Sequence, residues 1–166
     1  MKKLWILIVL LLTILSPQEW AQQPYLASIG YTSIGVLDNS KLTATRIELR
    51  SNFTIYQLSE KMFVVTPMAG LLVINDGGEY LYAGINLNNV IAHRIIITPN
   101  FAVGSFFEGR ELNLGGVLEF RSGIEVGVML SGKIILSGAF HHISNAALYD
   151  FNPGTETMTM AVSMGI

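Results

Sequence analysis

The stretch Val117-Leu118-Glu119-Phe120-Arg121-Ser122-Gly123-Ile124-Glu125-Val126-Gly127-Val128-Met129-Leu130 decides the fold class. Bulky apolar residues occupy one parity, and glycine, carboxylates and an arginine occupy the other. The bulky set is Leu118, Phe120, Ile124, Val126, Val128 and Leu130, and the other set is Glu119, Arg121, Gly123, Glu125 and Gly127. A period of two residues indicates a β-strand whose two faces meet different environments.

The same alternation returns over residues 155–166. One face carries Met158, Met160, Val162, Met164 and Ile166, and the other carries Thr157, Thr159, Ala161, Ser163 and Gly165. A soluble sandwich would carry more charge on its outer face, whereas a narrow membrane barrel has a bulky apolar exterior and a small or polar interior. The pattern favours the barrel. It also predicts that Arg46, Glu48 and Arg50 form an interior charge network, the alternative being solvated surface charges.

Turn signals divide the chain into eight strand-like segments. They are 25–37, 41–54, 61–75, 79–88, 93–107, 117–130, 133–144 and 155–165. We therefore predict an all-β fold, an eight-stranded antiparallel transmembrane β-barrel of the outer membrane, because closure removes the unpaired strand edges that lipid does not tolerate. Pro67 and Pro99 interrupt two of the segments, so each predicts a bulge or a bend.

The N-terminus has the pattern of an export signal. Two lysines precede an apolar run over residues 4–15, and Ala21 offers a small residue for cleavage. This predicts a signal peptide over 1–21 and a mature barrel over 22–166. The 166 residues include no cysteine, which excludes disulfides and iron–sulfur clusters, and a net charge of −2 gives no case for nucleic acid.

Polar residues fall on the apolar parity close to the C-terminus. The face of segment 133–144 that we interpret as lipid-facing carries Ile134, Leu136, Gly138, Phe140, His142 and Ser144. Glu156 shares the parity of the exterior methionines, whereas His141 should point inward. An even strand count places both termini in the periplasm, so Ser144 and Glu156 would flank the outer loop 145–154 near the outer-leaflet headgroups.

Together these residues could perform acyl transfer. His142 and Ser144 lie two positions apart on one side of a strand, with Cα atoms about 6.6 Å apart. If the hairpin is symmetric about residue 150, Ser144 stands opposite Glu156 and His142 is its diagonal neighbour. A serine becomes a nucleophile when a base accepts its proton, and a carboxylate orients that base.

An oxyanion site could lie directly after Ser144 in the sequence. The Asn145 side chain, helped by the backbone N–H groups of Ala146 or Ala147, would stabilise the charge on a tetrahedral intermediate. Each residue also has a bland interpretation: a histidine at a strand end is usually an interfacial anchor, and Asn145 and Glu156 are ordinary loop residues.

The string His142-Ile143-Ser144-Asn145-Ala146, with Glu156 fourteen positions after the histidine, resembles the outer-membrane lipid A 3-O-deacylases of the PagL type. The segment Leu114-Gly-Gly-Val-Leu-Glu-Phe120 is similar to the strand that precedes the family motif. The resemblance implies hydrolysis of the ester-linked acyl chain at position 3 of lipid A. It assigns Ser144 as nucleophile, His142 as base, Glu156 as orienting acid and Asn145 to the oxyanion hole. Ala147 departs from the pattern, since family members often have glycine there, and the chain lacks the terminal aromatic residue common in barrels.

We therefore predict a serine esterase that needs neither metal nor cofactor. It would act on lipid A, the membrane anchor of lipopolysaccharide, in the outer leaflet of a Gram-negative outer membrane. The alternatives are an esterase for another lipid ester, a barrel without activity and a soluble periplasmic lipid-binding barrel. The sequence leaves open the acyl-chain preference and whether the barrel forms a homodimer.

Overall fold

The computed structural model describes residues 23–38, 40–59, 62–91 and 94–166. Its strands are β1 (Tyr25–Ile34), β2 (Thr43–Ser51), β3 (Tyr56–Ser59), β4 (Met62–Ile74), β5 (Glu79–Ile91), β6 (Ile95–Phe107), β7 (Leu118–Ser131), β8 (Ile134–Ser144) and β9 (Thr155–Gly165). Among these residues no helix is long and apolar enough to cross a membrane. The export signal predicted over 1–21 lies outside the described residues and stays a prediction.

The strands form one closed antiparallel barrel. They pair in the order β2-β1-β9-β8-β7-β6-β5-β4-β3, and β2 also pairs with β4. Because β2 and β3 both lie along β4, they share one position in the wall. The wall therefore has the eight strand positions that the sequence predicts, and the predicted segment 41–54 corresponds to β2 followed by a break before β3.

That break lies opposite Pro67. β2 leaves the ladder after Met68 of β4, and β3 rejoins it at Val65, so residues 51–55 bulge against two residues of β4. Proline has no N–H to donate to a ladder. The irregularity predicted at Pro67 is thus present, but the neighbouring strand carries it. At Pro99 the β6–β7 ladder keeps its register, so the bulge predicted there is absent from that ladder.

The two faces of the wall differ as the alternation predicts. On β9 the exterior methionines Met158 and Met160 are 57% and 60% exposed, whereas the interior residues Thr157 and Thr159 are each 1% exposed. The apolar exterior of a membrane barrel meets hydrocarbon, so exposed methionine, leucine and valine side chains there are favourable.

Paired charges fill the interior, and they include the three residues that the sequence placed in one row. Arg46 and Arg50 donate to Glu125 of β7 at 3.1 Å and 2.7 Å. Glu48 accepts from Arg50 at 2.7 Å and from Arg121 at 3.2 Å. A buried charge is tolerable when it is paired and hydrogen-bonded, so these contacts confirm the predicted interior network and exclude the solvated alternative.

The two ends of the barrel differ in the length of their connections. At one end, here the long-loop end, lie residues 35–42, 75–78, 108–117 and 145–154. At the other end the connections are as short as residues 132–133. The functional candidates lie at the long-loop end, on the β8–β9 hairpin.

Candidate active site

A histidine and a carboxylate meet at the rim of β8 and β9. His142 and Glu156 are direct partners in the ladder, and Nδ1 of His142 lies 3.1 Å from Oε1 of Glu156. The hairpin is therefore symmetric about residue 149, and the prediction that Ser144 stands opposite Glu156 is wrong. The ladder ends at Ile143 and Thr155 because the next residues already turn into the loop. A shift of two residues preserves parity, so the predicted face is unaffected.

The three predicted catalytic residues lie on the exterior of the barrel. The His142 side chain is 47% exposed and that of Glu156 is 22% exposed. Ser144 is half-buried, has the same parity as His142 and pairs with Phe120 of β7. His141 points into the barrel and is buried, as predicted.

Gly154 leaves room beside the imidazole. Its φ is +64°, and a Cβ built there would lie 3.0 Å from Cε1 and 3.4 Å from Nε2 of His142. Because Nδ1 faces Glu156, the Nε2 edge of the ring lies on the loop side, where Ser144 ends β8. The ring therefore has Nδ1 on the Glu156 carboxylate and its Cε1–Nε2 edge beside Gly154, just before β9.

A left-handed turn follows Ser144 immediately. Ala146 and Ala147 have φ values of 53° and 60°, and the N–H of Leu148 donates to the carbonyl of Asn145 at 3.0 Å. Positive φ at both central positions is the feature of a type I′ turn, which usually contains asparagine and glycine. The N–H groups of both alanines have no acceptor among the described residues, so they are available to a ligand.

Hydrogen bonds made by Asn145 hold this turn in place. Its side-chain amide donates to the carbonyls of Leu114 and Phe151, both at 2.9 Å, and its backbone N–H donates to Oδ1 of Asn152 at 3.1 Å. Both amide protons are therefore in use. In this arrangement the Asn145 side chain orders two loops, and the backbone N–H groups of Ala146 and Ala147 remain without an acceptor among the described residues.

The loop 108–117 packs closely against the loop 145–154. At Gly115, φ is +90° and an added Cβ would lie 1.8 Å from the carbonyl oxygen of Phe151; at Gly116 it would lie 1.9 Å from the ring of Tyr149. The Tyr149 hydroxyl accepts a hydrogen bond from the N–H of Leu118 at 3.3 Å. Two consecutive glycines are needed because no side chain fits between these loops.

Replacing Ala147 with glycine should stabilise the barrel. An L-residue in the left-handed region costs about 1 kcal/mol that glycine avoids. We expect Ala147→Gly to raise the free energy of unfolding by about this amount, measured by urea titration of the detergent-folded barrel with circular dichroism. Ala139→Gly is the control with opposite sign, because glycine within a regular strand destabilises by roughly 0.5–1 kcal/mol. Equal destabilisation by both substitutions would contradict strain at Ala147.

The residues that hold the turn were not assigned to the site from the sequence. Leu114, Phe151 and Gly154 contact the site through backbone groups, which leave no signal in side-chain chemistry. The Gly115-Gly116 pair was the available hint, since consecutive glycines often mark a close approach of backbones.

Two kinds of comparison point in the same direction. The family described as "Lipid A 3-O-deacylase (PagL)" matches residues 80–165, just over half of the chain. The chain is also similar to the crystal structure of the outer membrane enzyme PagL, with a TM-score of 0.68 and 20% identity, covering 85% of this chain and 99% of that one. A de novo designed transmembrane β-barrel has a TM-score of 0.57 and 8% identity, covering 86% of this chain and 94% of that one. No curated protein matches the sequence.

Proposed function

We propose a serine-esterase mechanism for this chain, which belongs to the PagL family of lipid A 3-O-deacylases. As a member of that family it is an outer-membrane β-barrel enzyme whose substrate is lipid A. The observation that carries the mechanism is the 3.1 Å contact between His142 and Glu156, with Ser144 on the same exterior face. The sequence motif and the parity of β8 and β9 support it independently.

In the first half of the reaction, Ser144 attacks the ester carbonyl at position 3 of lipid A. The hydroxyl proton passes to Nε2 of His142 as Oγ bonds to the carbonyl carbon, and Glu156 accepts the Nδ1–H and stabilises the imidazolium. The N–H groups of Ala146 and Ala147 would donate hydrogen bonds to the tetrahedral oxyanion. As the intermediate collapses, the sugar oxygen leaves with the proton from His142, and the acyl chain stays on Ser144.

Water completes the second half. His142 accepts a proton from water, the resulting hydroxide attacks the acyl carbon, and Ser144 leaves with that proton. The products are a free fatty acid and a lipid A with one acyl chain fewer. In each half of the reaction His142 acts first as a base and then as an acid. The steps therefore balance without a metal ion or a redox partner.

The site would work in the outer leaflet. Outer-membrane barrels have short periplasmic turns and longer extracellular loops, which directs the long-loop end outward. His142 and Glu156 lie on the last ladder positions before the loop 145–154. A charge near the interface costs roughly 0–1 kcal/mol, compared with several at the bilayer centre, so this position is energetically acceptable for Glu156. In that leaflet the site would lie at about the depth of the ester bonds of lipid A.

Mass spectrometry of lipid A tests the function. Gram-negative cells that express the full chain should yield lipid A lacking one 3-hydroxyacyl mass, compared with cells carrying an empty vector. A serine-directed fluorophosphonate should then label the peptide containing Ser144 in the purified barrel. Unchanged lipid A with correctly folded barrel in the outer membrane would contradict the deacylase assignment. Labelling of another serine would contradict the proposed nucleophile.

A further inference from the structure

A buried carboxylate in the β4–β5 turn is connected to the site through the loop 108–117. Asp76 lies in the β4–β5 turn at the long-loop end and is 3% exposed. Its carboxylate accepts the N–H groups of Gly78 at 2.8 Å, Glu111 at 3.1 Å and Leu112 at 3.0 Å. Two of these three donors belong to the loop 108–117. One side chain therefore joins loops that are distant in sequence.

The backbone of Asp76 makes a second connection to the same loop. Its carbonyl accepts from the backbone N–H of Arg110 at 3.3 Å and from Nε of Arg110 at 3.2 Å. Gly109 sits directly against the carboxylate, since an added Cβ there would lie 2.3 Å from Oδ1 of Asp76. Residues 109–112 are thus held at several points by a single residue.

From this anchor a short path leads to the proposed oxyanion turn. Leu114, two residues after Leu112, accepts the side-chain amide of Asn145 at 2.9 Å. Asn145 begins the left-handed turn that contains Ala146 and Ala147. If the loop 108–117 moves, Asn145 loses an acceptor and the turn loses its support.

We propose that Asp76 is a positioning residue for deacylation: it fixes the loop 108–117, and that loop holds Asn145 and the oxyanion turn beside Ser144. The inference rests on the proposed function, because it assumes that the turn stabilises the oxyanion. Asp76 touches neither substrate nor the reacting atoms, so it acts only through geometry. A displacement of about 1 Å at a reacting centre costs on the order of 10²-fold in rate.

The charge of Asp76 suits this role. Burial raises the pKa of its carboxyl, but the N–H groups of Gly78, Leu112 and Glu111 outweigh burial and hold the pKa below its usual value. Because the folded pKa is lowered, the stabilisation is present above the usual pKa and is lost as the pH falls through the lowered one. At neutral pH Asp76 is therefore an anion, which makes the stronger kind of hydrogen bond to the loop.

The test compares kcat, KM and local exchange in the full-length barrel. We expect Asp76→Ala to lower kcat by about 10- to 100-fold with KM changed less than about threefold, because ground-state binding of lipid is not its task. Asp76→Asn should have a smaller effect, since it keeps one acceptor oxygen. Gly109→Ala disturbs the same anchor without removing Asp76, and it should resemble Asp76→Ala. Glu108→Gln is the matched control, because it removes the same charge from an exposed position of the same loop.

Hydrogen exchange gives a readout that does not depend on catalysis. In Asp76→Ala the amides of Leu112, Gly115 and Leu148 should exchange faster, whereas in Glu108→Gln they should not. Unchanged kcat in Asp76→Ala, or unchanged exchange at Leu148, would overturn the positioning role. If Ser144→Ala remained active while exchange at Leu148 responded to Asp76, the proposed mechanism would fail and the structural connection would stand.

Discussion

Ser144→Ala is expected to lower kcat for lipid A deacylation by about 10⁴- to 10⁶-fold. Removing the nucleophile of a serine hydrolase leaves only the contribution of the oxyanion site and of substrate binding, which is roughly 10³- to 10⁴-fold over the uncatalysed reaction. KM should change little, because the hydroxyl adds almost no binding energy to a substrate with several acyl chains. The measurement is release of hydroxy fatty acid from lipid A by the purified barrel in detergent, with folding checked by circular dichroism.

Ser137→Ala provides the matched control. It removes a hydroxyl from the same strand, but from the interior face, where Ser137 is 3% exposed. We expect its kcat to stay within about twofold of the parent, since it is remote from the ester. Comparable loss in both variants would mean that the effect comes from the strand and not from a nucleophile. Full activity of Ser144→Ala would remove Ser144 from the mechanism.

The faces of β7, β8 and β9 could be predicted because these strands alternate strictly, whereas the segments that contain Pro67 and Pro99 alternate poorly. The parity of β7, β8 and β9 follows from bulky residues at every second position, and the same rule places His142, Ser144 and Glu156 outside the barrel. A register error of two residues does not disturb this prediction, whereas an error of one would reverse it. Parity was therefore more secure than the pairing itself.

The pairing and the loop contacts could not be predicted, for a physical reason. The register of the β8–β9 hairpin depends on how the loop 145–154 folds, and that loop is ordered by Leu114 from a different hairpin. The left-handed turn at Ala146 and Ala147 lacks the asparagine and glycine that normally announce it. Asp76 is more than thirty residues from the loop that it anchors. Such long-range contacts exist only once the barrel closes.

The interior charge network could likewise be predicted only in part. The row Arg46, Glu48 and Arg50 was visible on one strand, but its compensating partners Glu125 and Arg121 lie on β7. Alternation assigns each to the interior separately. Closure brings the two groups together and decides which charges pair.

Glu156→Gln is expected to lower kcat by about 10²- to 10³-fold. Glutamine keeps the size of the side chain but cannot stabilise an imidazolium, and its N–H₂ group can hold His142 in the wrong tautomer. For a buried aspartate in a serine protease the corresponding loss is about 10⁴-fold. The loss here should be smaller, because the Glu156 side chain is 22% exposed and its partner 47% exposed, so water screens the pair. Glu156→Asp keeps the charge but has a shorter side chain. It should therefore retain part of the rate that Glu156→Gln loses.

A second substitution separates orientation of His142 from general damage to the rim. If Glu156 acts through His142 and Ser144, then Glu156→Gln in a Ser144→Ala background should change the residual rate less than about threefold, because residues that act as a unit are not additive. Glu79→Gln removes an exposed carboxylate from the start of β5, at the same long-loop end of the barrel. It should leave kcat within about twofold. Full additivity in the double variant would show that Glu156 supports the barrel rim and not the catalytic histidine. The geometry favours coupling, since the His142–Glu156 pair is joined directly at 3.1 Å.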